Sequence, residues 1–161
     1  MCFKKIYNLI HKNCIKPIAM PKSYGKITFS ETRAILKTVC NNSNIFVTDA
    51  HTNLTSKDEA KKFSEQTKVD LKQYIAENHD CDDFSFALQG YWSQGLEDFA
   101  FGIAWSQTDN GGWLHAFNIG IFTTDGKDRA VYIIEPQTNR WYTLAQSKTM
   151  PMYKNIALVI I

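Results

Sequence analysis

Apolar positions recur at helical spacing through the first half of the chain and switch to alternation in the second. Phe3, Ile6, Ile10 and Cys14 mark a short amphipathic helix, closed by Pro17, Pro21 and the Ser23–Gly25 stretch. Ser30 opens a second helix that runs to about Cys40, where Asn41, Asn42, Ser43 and Asn44 end it. Ile45 to Thr48 reads as a short strand. Thr55 or Ser56 caps a charged helix starting near Lys57, whose apolar stripe and continuation are Ala60, Phe63, Val69, Leu71 and Ile75. Asp80 precedes CDDFSFALQGYW, in which Phe84, Leu88 and Trp92 repeat every four residues.

From Phe101 onward β-branched and aromatic residues alternate. Phe101–Ser106, Trp113–Thr123, Arg129–Glu135, Trp141–Leu144 and Ile156–Ile160 read as strands, with TDNGG and TTDGK as turns. The last of these is either an edge strand open to another subunit or an interior one. The expected class is α+β, with N-terminal helices packed on one face of an antiparallel β-sheet. Residues 1–25 form a basic helix and linker, and residues 26–161 one domain.

A length of 161 residues suits one such domain. Net charge is only +2, which argues against nucleic-acid binding as the main role. Yet residues 1–37 carry eight basic residues against one acid, Glu31, so a basic arm leads the chain. Nothing approaches the roughly 18 consecutive apolar residues of a membrane span. The apolar run after Lys4 and Lys5 is broken by Asn8, His11 and Lys12, unlike a secretory signal. Cys2, Cys14, Cys40 and Cys81 form no CxxC pair. Reduced thiols and a cytoplasmic location are expected.

Cys81 opens the helix that Asp80 caps, beside unpaired backbone N–H groups and the positive end of the helix dipole, where a thiolate is favoured. The alternative is a buried cysteine acting as a small hydrophobe. The three-residue turn Thr124–Asp125–Gly126 would set Thr123 opposite Lys127, and in that register His115 faces Glu135 across two strands. A carboxylate there orients one imidazole nitrogen and leaves the other free as a base. Cysteine, histidine and carboxylate thus follow in the order used by a cysteine hydrolase. Asp80, Asp82 and Asp83 oppose a thiolate at Cys81 through their like charge. A divalent cation would reverse that balance, and oxygen donors such as Asp82, Asp83, Asn118 or Gln137 suit calcium or manganese. Acids that merely cap the helix are the competing explanation.

At these residues the chain resembles the papain-like C-terminal protease domain of fungal chimeric lectins and related cysteine-protease domains of phage proteins. The resemblance is carried by CDDFSFALQG, HAFN and EPQ, within about Tyr74 to Asn139. It implies a catalytic triad of Cys81, His115 and Glu135, with calcium or manganese beside the cysteine at Asp82 and Asp83. It also brings Gln137, and with it Tyr74, to the substrate and oxyanion side. The β-trefoil of those fungal proteins has no counterpart here. The implied function is a metal-assisted cysteine hydrolase, first of all a peptidase acting on peptide or protein substrate, or an acyltransferase with the same triad. The alternative is an inactive papain-like binding protein, such as a viral or phage protein gripping a host factor, with Trp92, Trp105, Trp113 and Trp141 among its aromatic anchors.

Overall fold

The computed structural model describes residues 18–40 and 44–161. The expected Phe3–Cys14 helix lies outside the described residues. Among the described residues eight strands fall into two sheets: β1 (Gly25–Thr28), β2 (Ile45–Phe46), β3 (His51–Leu54), β4 (Phe101–Gln107), β5 (Trp113–Phe122), β6 (Ala130–Glu135), β7 (Arg140–Thr143) and β8 (Ile156–Ile160). Helices α1 (Phe29–Leu36), α2 (Lys57–Thr67), α3 (Cys81–Trp92) and the single turn α4 (Leu144–Ser147) connect them. β1 and β3 pair antiparallel as a small sheet, and the large sheet has the order β2-β8-β4-β5-β6-β7.

This corrects the expected fold class in three respects. The large sheet is mixed, because β2 runs parallel to β8. Strands come before and between the helices, since β1 and β3 flank α1. Both faces of the large sheet are covered, not one. Phe117, Ile119 and Ile121 of β5 pack with Leu36 of α1 and with Ile27 and Leu54 of the small sheet. Phe122 of β5 and Ile134 of β6 join the opposite cluster, with Phe63 of α2 and Phe84, Leu88 and Trp92 of α3. Sheets, rather than a helical layer on an antiparallel platform, organise the chain. A strand buried on both faces reads as a near-continuous apolar run, as β5 does in its second half.

Local chemistry explains the element boundaries. Thr28 and Glu31 form a reciprocal capping box at α1. Ser56 caps α2 through the Glu59 N–H. Lys68 adopts a left-handed backbone, φ 55°, and ends α2 there. The apolar stripe therefore continues only as far as Val69, which joins Ala60 and Phe63 in the core, and Leu71 and Ile75 are exposed. β8 is interior, between β2 and β4. Upstream of β1, Ile18 and Met20 pack against the α2–α3 cluster. No helix of the described residues is long and apolar enough to cross a membrane.

β8 crosses β4 so closely at Gly102 that a β-carbon there would strike the carbonyl oxygen of Ile160, a backbone atom. Gly102→Ala is expected to cost roughly 1–3 kcal/mol, as overpacking does. Urea denaturation reads this as a lower midpoint with an unchanged slope.

Candidate functional site

The amino end of α3 meets the solvent end of β5. Asp80 holds the extended cap conformation, and its backbone N–H donates to Asp83 Oδ2 at 3.2 Å. That capping role places Asp83 on the outer side of the turn. Cys81 is the first helical residue, half-buried and a free thiol. Its Sγ accepts the Ala116 N–H at 3.4 Å, which pins the sulfur to β5.

His115 is buried and hydrogen-bonded to Cys81, and its Nε2 lies 2.6 Å from Glu135 Oε2. The expected pairing is thus made, but in a different register. β5 and β6 align Asn118 with Ile134 and Phe122 with Ala130, two residues from the expected alignment. The hairpin closes through a longer loop instead of a three-residue turn. Asp128 accepts from Thr123 Oγ1 and the Thr124 N–H, and Asp125 accepts from the Lys127 and Asp128 N–H groups. A two-residue shift keeps side chains on the same face, so His115 and Glu135 meet diagonally rather than directly opposite.

Glu135 is buried, and three donors satisfy it. Besides His115, the Tyr153 hydroxyl donates to Oε2 at 2.8 Å and the Gln137 backbone N–H to Oε1 at 3.1 Å. Burial is the largest single influence on His115 and opposes its charge. The hydrogen bonds to Cys81 and Glu135, with the carboxylate's charge, outweigh it and raise the imidazole to about 9. Burial and the neighbouring Glu135 charge push the Tyr153 hydroxyl well above its ordinary range, so it stays a donor. The array can hold an imidazolium between a carboxylate and a sulfur, and can exchange a proton with that sulfur.

Outside this array runs an open groove of about 500 Å³. Glu77, Asp80 and Asp82 line it together with Cys81 and His115, and the indoles of Trp105 and Trp113 complete it. The Asp82 carboxyl hydrogen-bonds to Asp80. This contact raises Asp82 above the usual carboxylate range and lowers Asp80, as expected when two acids share one proton. Asp80 Oδ1 is buried without a hydrogen-bond partner. Ligand atoms of Asp80, Cys81 and Asp82 lie within 4.8 Å of one another, a spacing that could hold a cation. The two carboxylates fit a hard divalent ion, whereas the thiol does not.

The structure brings Cys81, His115 and Glu135 together, and sets Asp82 beside Asp80. It places the other expected residues elsewhere. Asn118 is fully buried under α3, its Nδ2 donating to the Ser85 and Gly102 carbonyls at 3.1 Å each. Gln137 reaches Glu135 only through its backbone, and Tyr74 is exposed and does not line the groove. Sequence reasoning missed Tyr153, which carried no signal because it follows a loop after Met150-Pro151. Of the four tryptophans expected as aromatic anchors, Trp105 and Trp113 line the groove, whereas Trp92 is buried in the core.

No family model matches the chain, and no curated protein does. Solved structures do. One is described as a complex of PSL1a with E64: 16% identity, TM-score 0.64, covering 84% of this chain and 51% of that one. Another is Polyporus squamosus lectin bound to the epitope Neu5Aca2-6Galb1-4GlcNAc: 18% identity, TM-score 0.64, covering 84% and 49%. At such identity the likeness shows the fold alone. The chain spans about half the length of these structures.

The family expected from CDDF, HAFN and EPQ is corrected by these neighbours, of which one is described as a lectin and neither as a papain-like protease domain. The cysteine hydrolase, its peptide substrate and the papain-like protein gripping a host factor are corrected on the same finding.

His115 should titrate near pH 9 by NMR, against an ordinary value of 6.5. Its charged form then contributes stability fully below about pH 6.5, and that contribution is lost as pH rises through about 9. Glu135→Gln is expected to lower the midpoint and flatten this part of the stability profile. An unchanged midpoint would show that the carboxylate does not hold the imidazolium.

Proposed function

We propose that this chain is a carbohydrate-binding protein whose ligand lies in the groove between α3 and β5. The observation that carries the reading is that Asp80 and Asp82 line one open cleft together with Trp105 and Trp113. Aromatic faces pack against the apolar C–H faces of a pyranose, while carboxylates accept its hydroxyl protons in charge-assisted bonds. The fold likeness to a lectin structure is consistent with this reading.

Calcium or manganese is proposed at Asp80 and Asp82. The close approach of the Asp80 and Asp82 ligand atoms and the unpartnered Asp80 oxygen both mark a place where positive charge would be stabilised. Two carboxylates leave most of a calcium ion's six to eight positions for water or for vicinal hydroxyls of a sugar. Cys81, His115 and Glu135 are proposed to act as one unit, a thiol held ready as a nucleophile at the groove floor.

Trp113→Ala is expected to weaken glycan binding about 5- to 30-fold, equivalent to roughly 1–2 kcal/mol of aromatic contact. A glycan array followed by calorimetry on the best neutral oligosaccharide checks it. A chelator, or Asp82→Asn, should weaken the same binding. Full retention of binding in Trp113→Ala and in chelator would overturn the groove as the carbohydrate site.

Cys81 should react with iodoacetamide faster in the intact chain than in His115→Ala at neutral pH. Equal rates, followed by mass spectrometry of the alkylated peptide, would dissolve the proposed unit.

A further inference from the structure

The groove does not end at its indoles. Trp105 of β4 pairs with Leu158 of β8, and both line the groove. Two residues along β8 on the same face stands Ile160, which pairs with Phe46 of the edge strand β2. Phe86 of α3 borders the other side, its ring centroid 5.9 Å from that of Trp105. Phe46, Phe86 and Ile160 are all exposed, by 59%, 54% and 40%. Side chains scattered singly at a surface need no explanation, but these follow one another across three elements into a binding cleft.

Charge separates the groove from the strip. Glu77, Asp80 and Asp82 line the groove, whereas the five residues of the strip carry no ionisable group. A purely polar glycan would use only the acid-lined part. A purely apolar ligand would have to desolvate the carboxylates without compensation.

Building on the carbohydrate-binding reading, we propose that the ligand is an amphipathic glycoconjugate. Its sugar lies against Asp80, Asp82 and Trp113, and its apolar aglycone runs over Trp105, Leu158, Ile160 and Phe46. The alkyl part gains by leaving water along the strip, and sugar and chain are joined in one molecule, so the second contact is intramolecular.

The test compares methyl and octyl β-glycosides of galactose, glucose and N-acetylglucosamine by calorimetry, below micellar concentration, on the full chain. The octyl glycoside of whichever sugar binds is expected to bind at least tenfold more tightly than its methyl counterpart. Phe46→Ser and Ile160→Ser, each on the surface, should abolish that gain and leave the methyl glycoside unaffected. If methyl and octyl forms bind equally, the aglycone site is wrong while the sugar site stands. If no glycoside of either kind binds, the carbohydrate reading falls and this inference with it. A gain that persists in both serine variants also refutes the strip, by placing the chain elsewhere.

Discussion

A carboxylate that has left water must be paired, and the site is arranged around that requirement. Glu135 sits on a strand whose neighbours are core residues, and its charge would be costly without compensation. Three donors from three places answer it: a ring nitrogen on β5, a hydroxyl from the segment before β8, and a backbone N–H two residues on. Each donor has its own reason to be where it is. Tyr153 also packs edge-on against His115 and Phe117, so one ring both fills core space and brings the hydroxyl. His115 is thereby held between β6 and α3, and the Ala116 N–H ties the sulfur of Cys81 to the same strand.

How much of this was legible follows the range of the interactions. The α3 helix was readable because its cap, its acids and its four-residue apolar repeat are all local. The strands from β4 to β8 announced themselves by composition. β1 and β3 did not, because GKIT and HTNL are short and polar, and only pairing with each other makes them strands. The histidine–glutamate pair was anticipated from a register two residues off. It came together because an even shift preserves the face, whereas the loop chemistry of Asp125 and Asp128 that sets the true alignment was not read from the residue pattern.

The family-level expectation failed differently. Short segments such as EPQ and HAFN describe a local geometry, and local geometry can be shared by chains with different roles. What the whole chain is similar to depends on the sheets, on their order and on the cover over both faces. These are properties of residues far apart. Helices on both faces were hidden for the same reason: an apolar stripe states that a helix is buried, not which side of the sheet it is buried against.

The interior place of β8 governs how the protein reaches its native state. Ile45 and Phe46 find their partners in Val159 and Ile160, closing a loop of roughly 110 residues before any contact rewards the closure. β4 likewise waits for β8 on one side while it pairs with β5 by a short connection on the other. The hairpins from β4 to β7 are local and quick to form. Pairing with β8 is thus the closure of the central sheet with the highest chain-entropy cost. Without β8, β4 would present an open edge next to apolar residues, the kind of edge that pairs with another chain.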